Sequence, residues 1–230
     1  MVERTAEPDP AWTAVDSYIS DKLLGADAVL AATLAANAAA GLPDIDVSPA
    51  QGRMLHVLAR MAGARRILEI GTLGGYSTIC LARALPDGGR LVSLEIDPHH
   101  ADIARANIAA AELAAMVDVR TGAALETLDQ MIAAGEGPFD LVFIDADKPS
   151  NVGYMNAALA LSRPGTTIIV DNVVREGGVL DATSDDPRII GTRALFDMVS
   201  QEPRLTATAV QTVGAKKWDG FLLAIVGPAS

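Results

Sequence analysis

A single cysteine, Cys80, excludes a disulfide framework and a cysteine-built metal cluster, and it is expected to pack in the core. No apolar run approaches the ~20 residues of a membrane span, although 50% of the chain is hydrophobic. Lysine and arginine form no run, and the formal net charge is −11, which argues against a sequence-independent grip on nucleic acid. A small anionic ligand stays open, because a local patch can differ in sign from the total. Met1–Pro10 is polar and acidic and lacks the basic and apolar segments of a signal peptide, so a cytoplasmic location is expected. Aromatic residues make up only 4%, so a large flat ligand would depend on a few well-placed rings. The three histidines, His56, His99 and His100, suggest nothing catalytic, and the last two fall at a helix start.

What is present is a glycine turn between a strand and a helix. Ile67–Ile70 is a short apolar run broken by Glu69, followed by Gly71, Gly74 and Gly75 and then by helix-forming residues from Thr78 until Pro86. This is how an open α/β sheet builds a nucleotide-like cofactor site. The spacing is Glu69-x-Gly71-x-x-x-Gly75 and not G-x-G-x-x-G. An acid at the end of the strand would repel a pyrophosphate but suits a ligand carrying an ammonium group, which favours S-adenosylmethionine over NAD. Glu95 follows Gly75 by 20 residues and closes the next strand, where an acid accepts hydrogen bonds from ribose hydroxyls. Thr121-Gly122-Ala123 ends a third strand with small residues that would meet an adenine edge.

The 230 residues suffice for one α/β domain. A loose leader over Met1–Pro10 and one or two helices over 11–40 precede a helix that Ser48 caps with Pro49 at its first position. The α/β core spans 45–230. Strands are expected over 67–70, 90–96, 117–121, 141–145, 166–171, 205–212 and 220–226, alternating with helices over 78–85, 98–111, 124–133, 155–161 and 187–200. The last two strands, joined by 213–219 with no room for a crossover helix, should be antiparallel. The fold class is therefore a Rossmann-like, doubly wound, mostly parallel sheet of seven strands with an antiparallel last strand, plus N-terminal helices.

Two further strand ends carry acids. One runs Ile144-Asp145-Ala146-Asp147-Lys148, the other Val170-Asp171-Asn172. Ligands of open α/β sheets bind at the carboxyl ends of the strands, so Asp145, Asp171 and Asn172 can converge on the cofactor crevice. Two carboxylates and an amide oxygen are hard ligands suited to Mg²⁺, with Ca²⁺ or Mn²⁺ as alternatives. Beside such an ion the ammonium form of Lys148 is disfavoured, which makes Lys148 a candidate general base.

Taken together, these residues resemble the cation-dependent class I S-adenosylmethionine-dependent O-methyltransferases, which include catechol O-methyltransferase and the caffeoyl-CoA O-methyltransferases. The resemblance runs from about Ile45 to Ala224 and is carried by 69–77, 143–148, 170–172 and Trp218-Asp219-Gly220-Phe221. It implies that Glu69, Gly71, Thr72, Gly75 and Ser77 hold the methionine end of the cofactor, Glu95 its ribose and Ala123 its adenine. Val47 and Asp145 flank it, with Ser48 beside Val47. It implies that Asp145, Asp171 and Asn172 hold the metal, that Lys148 takes the acceptor's proton, and that Trp218 walls the acceptor site. The N-terminal helices resemble those that help such enzymes form homodimers. Ile45 stands where members usually have methionine. Pro149-Ser150-Asn151 and the loop over 173–186 also depart from the plant pattern, so the hydroxylated small-molecule acceptor is not named. The competing readings are a metal-independent methyltransferase using the same cofactor, a non-catalytic cofactor-binding dimer and, disfavoured by the glycine spacing, an NAD-dependent oxidoreductase.

Overall fold

In the computed structural model, which describes residues 9–228, seven strands form one sheet in the order β3-β2-β1-β4-β5-β7-β6. The strands are β1 (Arg66–Ile70), β2 (Arg90–Glu95), β3 (Val117–Thr121), β4 (Phe139–Ile144), β5 (Ser162–Asp171), β6 (Leu205–Gly214) and β7 (Lys217–Val226). The first five are parallel, and β7 runs antiparallel to both β5 and β6. The helices are α1 (Pro10–Leu23), α2 (Ala28–Ala39), α3 (Pro49–Met61), α4 (Tyr76–Ala82), α5 (Pro98–Ala110), α6 (Ala124–Ala133), α7 (Asn151–Ala160) and α8 (Pro187–Gln201). None of the described helices is long and apolar enough to cross a membrane.

Alternation along the central strands sorts the core into two layers. Leu68, Ile70, Val142, Ile144, Ile168 and Val170 pack with α6, α7 and α8. Ile67, Leu141, Phe143 and Ile169 face the other way, onto Leu55 and Ala59 of α3 and Cys80 and Leu81 of α4. Cys80 is buried there as expected. The same parity sends Glu69, Asp145 and Asp171 toward the α3/α4 side. Ile144 lies in register with Val170, so Asp145 and Asp171 follow side by side at the strand ends.

The sequence expectations differ from the structure at element ends. Of the leader over Met1–Pro10, residues 1–8 lie outside the described residues. Asp9 and Pro10 open α1, the Asp9 carboxylate accepting from the Ala11 N–H at 2.8 Å. The segment 11–40 forms two helices, parted around Gly25 at φ +67°. Helix α4 starts at Tyr76 and not at Thr78, because Gly75 adopts φ +87° and serves as its cap. The connection expected over 213–219 is a two-residue turn, Ala215-Lys216, since both strands extend to meet at Gly214 and Lys217.

Candidate active site

One cavity of about 1200 Å³ lies across the carboxyl ends of β1, β2, β4 and β5. That exceeds the roughly 300–1,000 Å³ of a usual small-ligand pocket and leaves room for a cofactor and a second molecule. Val47, Gly71, Thr72, Ser77, Glu95, Asp145, Lys148, Asp171 and Asn172, all singled out from the sequence, line it.

The glycine turn is shaped by the chain's own backbone. At Gly71, φ is +100° and a Cβ would stand 2.0 Å from the carbonyl oxygen of Asp145, so only glycine lets β1 and β4 end side by side. Thr72 and Leu73 donate their N–H groups to Glu95 Oε2 at 3.2 and 2.8 Å, and Asp97 N–H donates to Oε1 at 3.0 Å. Glu95 thus fixes the turn while one flank of its carboxylate faces the cavity. Thr72 is held further by its hydroxyl against Ser93 Oγ at 2.6 Å.

Glu69 sits behind this wall and does not line the cavity. It is wholly buried, and its carboxylate accepts from the hydroxyls of Ser77 (2.6 Å), Ser93 (2.7 Å) and Thr78. Burial pushes its pKa up to about 7 against the pull of those hydroxyls, and the charge of Asp145 adds to the rise. Glu69 therefore reaches the cavity through Ser77. Gly75 acts as the α4 cap, and at the third strand end it is Ala124, the neighbour of Ala123, that lines the cavity.

At the other end Lys148 Nζ lies 2.9 Å from Asp145 Oδ1, and the lysine is almost fully buried. Asp171 is buried as well, its Oδ2 accepting from Gln51 Nε2 at 2.7 Å and its Oδ1 from the Asn172 N–H at 2.8 Å. Burial and then the charge of Asp145 push its pKa up to about 7, opposed by Lys148, the Asn172 amide and Gln51. Asn172 takes φ +58°, a left-handed conformation that asparagine tolerates better than most residues.

The structure also adds and removes residues. Gln51, His100, Arg175, Arg188 and Lys217 line the cavity, although the sequence reading set His100 aside and named none of the others. His100 Nδ1 lies 3.7 Å from Glu95 Oε1, on the helix that follows that acid. A helix start directly after a strand-closing Glu was the available signal. Trp218, expected to wall the acceptor site, packs on Gly177, where a Cβ would stand 3.0 Å from its ring, and donates from Nε1 to Gln211 Oε1 at 3.0 Å. It does not line the cavity.

The profile of the O-methyltransferase family matches residues 24–224. The chain belongs to the O-methyltransferase family. A catechol O-methyltransferase of Niastella koreensis is 53% identical over 217 residues, covering 94% of this chain and 97% of that protein. The crystal structure of the O-methyltransferase from Bacillus cereus in complex with SAH superposes with a TM-score of 0.93 at 57% identity, covering 94% of this chain and 98% of that one. The O-methyltransferase TomG of Streptomyces achromogenes, involved in tomaymycin synthesis and solved with SAM, gives a TM-score of 0.92 at 45% identity, with 99% of this chain and 100% of that one covered. Within this O-methyltransferase fold, the strand-end acids Asp145 and Asp171 line the cavity, and Glu69 lies buried behind its wall.

Proposed function

We propose that this O-methyltransferase moves the methyl group of S-adenosylmethionine to one hydroxyl of a catechol-like vicinal diol, with a divalent cation, Mg²⁺ first among the candidates, in the site. The observation that carries the reading is that Asp145, Asp171, Asn172 and Lys148 line the same cavity as Gly71, Thr72, Ser77 and Glu95. The relatives solved with SAM and SAH support the cofactor, and the relative named catechol O-methyltransferase supports the acceptor class.

The donor set fits such an ion. Asp145, Asp171 and Asn172 offer hard oxygens; Asp171 is buried, and burial first and then the charge of the half-buried Asp145 raise its pKa. When bound, the ion supplies Lewis acidity, lowering the pKa of a coordinated hydroxyl and fixing the diol. Gln51 holds Asp171 in its orientation, and Lys148 Nζ, anchored on Asp145, is the group placed to take the hydroxyl proton. Ser77, oriented by Glu69, holds the amino-acid end of the cofactor, and Glu95 accepts from its ribose. The molecule works as a homodimer through its N-terminal helices, whose apolar side chains Val15, Tyr18 and Leu23 are exposed.

The Lys148–Asp145 pair also favours a second reading, in which lysine is the only cation the site needs. A methyl-transfer assay on catechols with Mg²⁺ and then with EDTA separates the two. Mg²⁺-dependent turnover is expected, and Asp145→Ala and Asp171→Ala should each lower kcat by roughly 100-fold or more, while circular dichroism shows the fold retained. Full turnover by either variant, or by the EDTA-treated enzyme, would sink the metal reading.

A further inference from the structure

Cationic side chains reach the proposed site from several segments. Lys148 follows β4, Arg175 lies in the loop after β5 and Arg188 in the first turn of α8, and Lys216 and Lys217 sit at the β6–β7 turn. Three of these charges are already engaged within the chain. Lys148 pairs with Asp145 at 2.9 Å, Arg188 with Asp186 at 2.6 Å and Lys216 with Asp44 at 2.7 Å. Arg175 is different. Its nearest carboxylate oxygen, Asp219 Oδ2, is 4.0 Å from Nη1, beyond hydrogen-bond reach, and its guanidinium donates to none of the described residues. Its side chain is 24% exposed and lines the cavity. Lys217 makes no ion pair with a described residue.

The backbone that presents Arg175 is held in an uncommon shape. Arg175, Glu176 and Gly177 take φ of +55°, +52° and +78° in succession. Asp219 Oδ1 fixes the entry by accepting the N–H groups of Val174 and Arg175, each at 3.0 Å, and the Glu176 N–H donates to the Trp218 carbonyl at 3.2 Å. Left-handed non-glycine residues persist where the surroundings over-determine them, and they gather at ligand sites. Here the strained turn carries into the cavity, four residues beyond Asp171, a guanidinium whose one ion pair with a described residue is the long contact to Asp219.

We infer that Arg175 recognises a carboxylate on the methyl acceptor, with Lys217 adding charge, so that the acceptor class is an aromatic vicinal diol bearing an acid. The inference rests on the O-methyl-transfer reading above. A guanidinium fork matches a carboxylate with two parallel hydrogen bonds, and it offsets the repulsion an anion meets from Asp145, Asp171 and a chain of net charge −11.

The test compares a benzoic acid carrying two adjacent hydroxyls with its carboxamide, under S-adenosylmethionine and Mg²⁺, in the wild type and in Arg175→Gln and Arg175→Lys. The wild type should prefer the acid. Arg175→Gln should lower the acid-to-amide ratio of kcat/KM by roughly 10- to 100-fold, the range of a charged hydrogen bond, chiefly through KM. Arg175→Lys should restore part of it. Because both substrates are read on the same enzyme sample, partial misfolding cancels from the ratio. A wild type that prefers the amide, or a ratio that neither substitution changes, overturns the inference alone. A wild type that turns over neither compound overturns the methyl-transfer reading, and the inference with it.

Discussion

Glu69 shows what a single residue can hide in a sequence. Its place before the glycine turn marked it as part of the cofactor site, and its chemistry suggested an ammonium partner. The sequence could not say that the hydroxyls of Ser77, Thr78 and Ser93, up to 24 positions away, converge on it and leave it no exposed surface. Gln51 and Arg175 were still less legible, because an amide on a helix and an arginine in a loop belong to no motif. The burial of Glu69 has a thermodynamic consequence. Its pKa is raised from 4.5 to about 7, so the folded cofactor-free protein binds that proton more tightly than the unfolded chain. Stability from this group is fully present below pH 4.5 and is lost as pH rises toward about 7. The loss is about 3 kcal/mol at ~1.4 kcal/mol per unit. Glu69→Gln should remove this contribution, while Asp171, also raised to about 7, keeps a slope of the same sign. Urea unfolding at the two ends of the window measures it, and a slope unaltered by the substitution would count against a buried, proton-binding Glu69.

At the scale of elements, the strands were legible where apolar runs were bounded by turn residues, as in β1, β4 and the last residues of β5. Their alternation was decisive for the site, since it sends Glu69, Asp145 and Asp171 to one side of the sheet. The two-residue hairpin was not legible, because Lys217 at φ +74° is an unusual residue for that conformation. Helix α3 could be placed from Ser48 and Pro49, but its reach into the site depends on close packing. At Gly52 a Cβ would stand 2.9 Å from Cys80 Sγ, so α3 lies tight against α4 and brings Gln51 to within 2.7 Å of Asp171. A partner that orients a metal-binding carboxylate contributes to affinity for the ion without touching it. Gln51→Ala should therefore raise the Mg²⁺ concentration for half-maximal turnover by roughly 10-fold or more, with a smaller change in kcat at saturating Mg²⁺. A titration of initial rate against Mg²⁺ reads this directly, and an unchanged midpoint would assign Gln51 to packing alone.

For the molecule as a whole, α1 is the most weakly packed of the described α-helices. The helix has 14 residues and buries none of them. Isolated helices of about 12–15 residues are marginal in water, and most helical stability in proteins comes from a packed apolar face. Here Trp12 and Ile19 are only half-buried and much of the apolar surface stays open to solvent. Tyr18 is 65% exposed and Leu23 75%, with Val57 and Met61 of α3 also uncovered. The Asp16 carboxylate ties α1 to the β6–β7 turn by accepting from the Ala215 N–H at 2.8 Å, and α1 also touches β6 and α3. If a second copy of the chain covers these helices, as proposed above, it supplies further burial, at ~25 cal/mol per Å² of apolar surface removed from water. Light scattering should then find the wild type at twice the chain's 23.9 kDa. A Tyr18→Asp, Leu23→Asp double variant should run at the mass of one chain and show less helix by circular dichroism, because charge at the interface centre also removes what stabilises α1. A wild type that stays monomeric at micromolar concentration, with its helix content intact, would mean that α1 is held by the contacts within one chain.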